Sequence, residues 1–342
     1  MPDLLSIKKA DTIIFDIDGT LVDTTKSYNE VIKQTVKLYL SLFIAGDVTG
    51  DDLITTGEIN LFRQTGGFNN DWDTSAAVIY YYLNMIGDDL ICANAEAQGL
   101  ASLHKTAQSI DQILDYLKIL KSNVKTQSLA SLLGNKNIPE FIKLIKNQKE
   151  IGLDAVRNIT SPQIEQYVFY FGDLASTNLV QRIYQEIYQG PELFSEVYGI
   201  EPLFYHQEGY YIKETLLPDK DLLIKLAEKK KLGIATGRIY AEAKMVLKRF
   251  EIMQLLKIII TDDDIAGHQR KPDPQMLFLA AEKLKGNKYI YAGDLPDDVK
   301  AANSAKDKLN IMSVAVYDEN PEADYNFQST DEFIRAILTP DT

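Results

Sequence analysis

Residues able to do chemistry gather where apolar runs end. Near the start, Thr12-Ile13-Ile14-Phe15 runs into Asp16-Ile17-Asp18-Gly19-Thr20. A strand buried on both faces would deliver two carboxylates to its carboxyl end, where parallel sheets bind ligands. Period two points Asp16 and Asp18 the same way, or Gly19 already turns the chain and they diverge; in either geometry they can share one ion. Further on, Leu232-Gly233-Ile234-Ala235 ends in Thr236-Gly237-Arg238, Lys271 precedes Pro272-Asp273-Pro274, and Lys288 to Ala292 leads into Gly293-Asp294-Leu295-Pro296-Asp297-Asp298. Singly, each has an ordinary explanation: a polar turn, a lysine ahead of a capped helix, acidic residues stabilising a helix N-terminus.

The elements that must position these groups fall into two kinds of text. Thr24 or Thr25 caps a helix over Lys26 to Phe43, ended by Gly46, and Asp51 to Arg63 continues as short helical pieces. Gln64 to Asp73 has no apolar period. Its paired glycines, two amides, two carboxylates and single tryptophan read either as a turn in which Asp71 or Asp73 caps a helix over Thr74 to Ile86, or as a substrate loop. Helical segments follow near 100–121, 138–149, 161–173 and 175–189, and the lysine-rich stretch Lys118 to Lys149 reads as a solvated elaboration. Tyr198 to Tyr211 is a returning connection. Beyond it strand and helix alternate: a helix over Asp219 to Lys231, the strand at Leu232, a helix over Ala241 to Phe250, a strand over Lys257 to Thr261, a helix from Pro274 to Lys285, the strand Lys288 to Ala292, a helix and a last strand Ile311 to Tyr317. Such βα repeats imply an α/β fold, a doubly wound parallel sheet of Rossmann-like type, interrupted by an inserted, large all-α domain. The expected core is 1–25 with 215–342, and the expected helical insert 26–214.

Totals narrow the function classes. With 36 basic against 49 acidic residues, the net charge of -13 argues against non-specific binding to nucleic acid or anionic membranes. One cysteine, Cys92, excludes an intramolecular disulfide and a multi-cysteine metal site. No secretory signal and no membrane-spanning stretch is visible, so a cytoplasmic protein is expected. His104, His206 and His268 lack metal-ligand spacing, Asp262 to Asp264 reads as a solvated loop, and Tyr80, Tyr81, Tyr82, Tyr184 and Tyr188 recur at the spacing of a helical core.

The four strand-end features, in this order, resemble the signatures of the haloacid dehalogenase superfamily: Asp16-x-Asp18-x-Thr20, Thr236, Lys271 in its Lys-Pro-x-Pro form, and Gly293-Asp294 with Asp298. An insert between the first two signatures is similar to subfamily I with its α-helical cap. The resemblance implies a Mg²⁺-dependent phosphatase acting on a small phosphorylated metabolite, phosphoglycolate-phosphatase-like, with a phosphomutase of the β-phosphoglucomutase type as alternative and a retired binding protein as a remoter one. It implies that Asp16 is the nucleophile and that Asp16, Asp294 and the Asp18 carbonyl hold the ion, with Asp298 or Asp297 orienting its waters. It further implies that Asp18 is the general acid and base, and that Thr20, Thr236, Gly237 and Lys271 serve the phosphoryl group. Candidate contacts to the rest of the substrate are Arg63, Asn69, Asn70, Asp71, Trp72 and Arg238; Arg63 reads equally as a solvent-facing helix arginine, and Arg238 reads either as a phosphate contact or as an ion-pair partner.

Overall fold

Four residues, Thr12–Phe15, make strand β1, and all four are buried. β-Branched and aromatic side chains with no polar break suit a strand covered on both faces. The computed structural model describes residues 5–44, 48–68, 70–87, 106–123 and 129–340, so Gly46, Asn69, Cys92 and His104 lie outside the described residues. The chain divides into two compact units, Met1–Thr24 with Glu214–Thr342, and Thr25–Lys213.

In the first unit, Val22–Asp23 (β2) pairs antiparallel with Thr215–Leu216 (β3), tying together the segments where the chain leaves and rejoins the unit. Lys231–Ala235 (β4), Ile258–Ile260 (β5), Tyr289–Gly293 (β6), Ile311–Val316 (β7) and Tyr325–Phe327 (β8) join β1 in a six-stranded parallel sheet of order β5-β4-β1-β6-β7-β8. β1 is central, with Phe15 level with Ile234 on one side and Ala292 on the other. Alternation along β1 feeds two cores. Ile13 and Phe15 pack with Leu226, Val246, Phe333 and Ile334, whereas Ile14 packs with Met276, Leu277, Ala301 and Ala302. The helices supplying these residues are Lys220–Lys229, Tyr240–Arg249 and Thr330–Leu338 for the first core, and Gln275–Leu284 and Pro296–Ala305 for the second. Phe15 meets Phe333 edge to face, with 6.1 Å between ring centres. This is the doubly wound arrangement that the alternating pattern predicts. β8 and the last helix extend it beyond the expected last strand; Ser329 caps that helix by accepting from Glu332 N.

The described residues of the second unit form helices and connecting loops, with no strand among them. Tyr28–Ser41 packs against Asp71–Met85 and Leu179–Tyr198. Tyr39, Tyr80 and Tyr82 are buried among them, as the helical spacing predicts. The Tyr39 hydroxyl donates to Tyr167 O at 2.8 Å and accepts from Phe169 N at 2.8 Å, so the phenol enters the core without an unpaired polar group. Several expected boundaries move. Helix Tyr28–Ser41 starts after Ser27 rather than at a Thr24 or Thr25 cap. The pieces Gly50–Leu53 and Thr56–Arg63 each begin with a capping box, Thr49 with Asp52 and Thr55 with Glu58. The expected helix over 161–173 is only a 3-10 turn, Pro162–Tyr167. Leu179–Tyr198 runs past the expected end at 189, broken at Gly190, whose positive φ of 70° no helix admits. A Cβ there would stand 2.5 Å from Gly209 N. No described helix is long and apolar enough to cross a membrane.

Candidate active site

Asp16 leaves β1 with its backbone still in the sheet, N donating to Ala292 O at 2.9 Å. The chain then turns sharply: Leu21 N and Val22 N both donate to Ile17 O, at 2.9 and 2.8 Å. Gly19 serves this turn twice. Its φ is +67°, and a Cβ would lie 2.1 Å from Asp294 Oδ2. The absence of a side chain therefore lets the turn close onto the end of β6, which delivers Asp294. Gly293 is confined similarly, a Cβ there falling 2.4 Å from Asp298 Cγ. Asp298 sits in the first turn of Pro296–Ala305, and its Oδ2 accepts from Leu295 N at 3.1 Å. Asp16, Asp294 and Asp298 thus each place a carboxylate oxygen within 4.8 Å of the others.

One ammonium serves this trio. Lys271 Nζ lies 2.9 Å from Asp16 Oδ1 and 2.7 Å from Asp298 Oδ1. Burial pulls the lysine pKa down, but Asp16 and Asp298 outweigh that and hold it well above its ordinary value. Tyr291, buried on β6, places its hydroxyl 2.9 Å from Asp298 Oδ1 and 3.0 Å from Ala235 O. Burial pushes the Asp16 carboxyl up to about 7; Lys271 opposes this, while Asp298 and Asp18 reinforce it. Burial, then repulsion from Asp298 and Asp16, pushes Asp294 up to about 8. Asp294 Oδ1 is buried and accepts no hydrogen bond among the described residues. Buried carboxylate oxygens in excess of their cations are what a hard divalent ion fits. Asp298 is the deep member of the acidic pair after β6, 2% exposed, while Asp297 stands at the surface 3.8 Å from Lys300.

The remaining expected groups divide. Thr236 is fully buried at the end of β4; its Oγ1 accepts from Arg238 N at 3.3 Å, and the adjacent Gly237 is exposed. Thr20 is also fully buried, its hydroxyl making no hydrogen bond among the described residues and its carbonyl accepting from Thr330 Oγ1 at 2.6 Å. The Asp18 side chain stands apart from the trio. Its Oδ1 accepts from Arg238 Nε at 2.9 Å and Nη2 at 2.6 Å. Arg238, expected to contact substrate, is 3% exposed and directs its guanidinium at two carboxylates, Asp18 and the fully buried Glu214. Of the two readings of Arg238, this geometry makes the ion pair, as an internal clamp.

In the second unit, the loop candidates meet one another. Asn70, not Asp71 or Asp73, caps Asp71–Met85, its Oδ1 accepting from Asp73 N at 2.8 Å. Arg63 Nη2 pairs with Asp71 Oδ1 at 3.0 Å, and Asp71 Oδ2 accepts from the Tyr184 hydroxyl at 3.3 Å. Trp72 stands edge to face on Tyr184 at 6.4 Å. The paired glycines pack this loop: both have positive φ, and a Cβ on Gly67 would lie 2.6 Å from Gly152 N. These contacts favour the capped turn over an open substrate loop.

Three features escaped sequence reasoning. Glu214 and Tyr291 carried no signal, one an isolated acid and the other an apparent core strand residue. Asp262 to Asp264 is a 3-10 turn with Asp263 and Asp264 exposed, in keeping with the expected solvated loop, yet each carboxylate is engaged. Asp262 forks onto Arg270 at 2.6 and 2.5 Å, next to Lys271; Asp263 accepts from Tyr240 N at 2.7 Å; Asp264 accepts from Thr261 N at 2.8 Å.

Comparison with known proteins gives this geometry a context. The family model described as hydrolase, haloacid dehalogenase-like hydrolase, matches residues 10–306. A phosphoglycolate phosphatase of Cereibacter sphaeroides is 33% identical over 75 residues, a stretch covering 22% of this chain and only 34% of that enzyme. Among solved structures, a crystal structure from the Northeast Structural Genomics Consortium superimposes with a TM-score of 0.67 at 17% identity, covering 96% of this chain and 98% of that one. Phosphatase Tt82 from Thermococcus thioreducens gives a TM-score of 0.58 at 18% identity, covering 96% of this chain and all of that one. At these identities the two structures speak to the fold alone.

Proposed function

The chain belongs to the haloacid dehalogenase-like hydrolases, and from that premise we propose that it is a Mg²⁺-dependent phosphatase of a small phosphate monoester, phosphoglycolate being the first compound to test. The observation that carries the reading is a charge imbalance at the strand ends. Among the described residues, three clustered carboxylates share one ammonium, and a buried oxygen of Asp294 accepts no hydrogen bond. Asp16, Asp294 and Asp298 would hold the ion, and when bound it supplies the positive charge that lets a carboxylate approach a negatively charged phosphoryl group.

Each residue then has a task. Asp16 attacks phosphorus, and the bond from phosphorus to the ester oxygen breaks as that oxygen takes a proton from Asp18. Lys271 keeps Asp16 aimed and offsets charge on the phosphoryl oxygens, which the Thr236 hydroxyl and backbone N–H groups near Gly237 also hold. Asp18, left ionised, takes a proton from water as that water attacks the aspartyl-phosphate, so that phosphate departs and Asp16 is restored. The test is phosphate release across phosphoglycolate, sugar phosphates, nucleotides and amino-alcohol phosphates, beside an EDTA control and Asp16→Asn. Release from one class, abolished by both controls, supports the reading; no release from any, or release indifferent to EDTA, overturns it.

A further inference from the structure

Arg238 is a buried cation at the edge of the site that the reaction steps leave unused. Its backbone is pinned from both sides, N donating to Thr236 Oγ1 at 3.3 Å and O accepting from Asp262 N at 3.0 Å. One edge of the guanidinium, Nε and Nη2, converges on the single oxygen Asp18 Oδ1 at 2.9 and 2.6 Å. The other, Nη1 and Nη2, meets Glu214 Oε2 and Oε1 at 3.3 and 3.1 Å. Glu214 opens the returning half of the unit, and its carbonyl accepts from Arg249 Nη1 at 3.0 Å. The Glu214 and Arg238 side chains are 0% and 1% exposed, whereas that of Asp18 is 29% exposed. The buried end of this three-residue chain is therefore fixed and its outer end is the acid.

From this geometry we infer that Arg238 and Glu214 are positioning residues that fix the direction of the Asp18 carboxylate for proton transfer to the leaving group. An arginine that bound the substrate phosphate would turn its fork toward open space, but this fork is spent between two carboxylates of its own unit. Stability alone is a poor reason for such an arrangement, since a buried ion pair can generally be replaced by apolar groups at no loss. Proton transfer supplies a better one: the efficiency of a general acid depends on holding its oxygen within a few tenths of an ångström of the productive position. Glu214 offsets the guanidinium charge, so Arg238 can direct Asp18 by hydrogen bonding without presenting an uncompensated cation beside it.

The kinetic part of this inference rests on the phosphatase reading; the structural part does not. Removing Arg238 alone would strand the buried Glu214 carboxylate, so the variant to use is Arg238→Gln with Glu214→Gln, which removes both charges together. The ratio kcat/KM reports steps up to departure of the alcohol, and p-nitrophenyl phosphate releases a phenolate that needs no proton. The double variant should lose about 10²-fold in kcat/KM for an alkyl phosphate and less than about 10-fold for p-nitrophenyl phosphate. Equal losses on both compounds, or none on either, overturn the inference. A crystal structure of the same variant should show the Asp18 side chain displaced from its present position; an unmoved Asp18 overturns the inference too. Should the wild type hydrolyse no phosphate ester, the phosphatase reading falls and the crystal structure still decides whether the clamp positions Asp18.

Discussion

Removing one charge from the carboxylate trio should stabilise the metal-free protein at alkaline pH. Asp294 has its carboxyl pushed from 3.8 up to about 8 by burial and by its two acidic neighbours. A folded-state value above the unfolded one means that the folded chain binds the proton more tightly. The group's contribution is therefore full below the unfolded value and is lost as pH rises toward 8. Four units at about 1.4 kcal/mol each set an upper bound of about 6 kcal/mol. Because Asp16 readjusts its own protonation when the third charge goes, about 2–4 kcal/mol should remain. Asp294→Asn mimics the protonated form at every pH. In EDTA it should match the wild type only at about pH 3.5, below the unfolded value, draw ahead as pH rises, and exceed it in Tm by roughly 5–15 °C near pH 8, at about 2–4 °C per kcal/mol for a unit of this size. Added Mg²⁺ should raise the wild-type Tm at pH 8 and leave the variant nearly unmoved. Thermal unfolding followed by fluorescence at four pH values, with and without Mg²⁺, decides it. Parallel wild-type and variant curves would refute the claim that the trio is electrostatically overloaded.

Tyr291→Phe removes a hydroxyl from between Asp298 and the Ala235 carbonyl, and should cost about 1 kcal/mol of stability and weaken Mg²⁺ binding by about 10-fold, as measured by unfolding and by calorimetric titration. Gly19→Ala puts a methyl group against Asp294 Oδ2 in a left-handed turn; phosphate release should fall below detection while far-ultraviolet circular dichroism stays native-like. Asn70→Ala removes a helix cap and should lower stability by about 1 kcal/mol in urea unfolding, with kcat within a factor of about two of wild type.

The core was legible because short apolar runs ending in charge have one economical explanation, strands buried on both faces, and β1, β4 and β6 are such runs. The same logic picked out Asp16 and the acidic residues after β6, and the Lys-Pro-x-Pro resemblance added Lys271; the fold brings Asp16, Asp294, Asp298 and Lys271 together at the strand ends. What the sequence hid depends on long-range pairing. Glu214 acquires meaning only through Arg238, and nothing in its neighbours marks it as buried. Asp262, Asp263 and Asp264 form the solvated acidic run expected, but their partners Arg270, Tyr240 N and Thr261 N are visible only in the fold. Helix boundaries drifted where a local signal had two readings. Three side chains around Asn70 could each cap, and the left-handed position after Gln275–Leu284 falls to Lys285, with φ of 50°, rather than to the following Gly286. Gly286 is needed for room instead: a Cβ there would lie 2.2 Å from Thr12 Oγ1.

The central claim is that Asp16 becomes phosphorylated, and acid quenching tests it most directly. Asp18→Asn lacks the base that would activate water, so the covalent intermediate should accumulate when this variant meets p-nitrophenyl phosphate and Mg²⁺. Peptide mass spectrometry should then find one phosphoryl group on the peptide that holds Asp16. The adduct should be missing when Asp16→Asn is combined with Asp18→Asn, and missing in EDTA. A burst of p-nitrophenolate with no adduct on that peptide, or an adduct on a different side chain, would contradict the account.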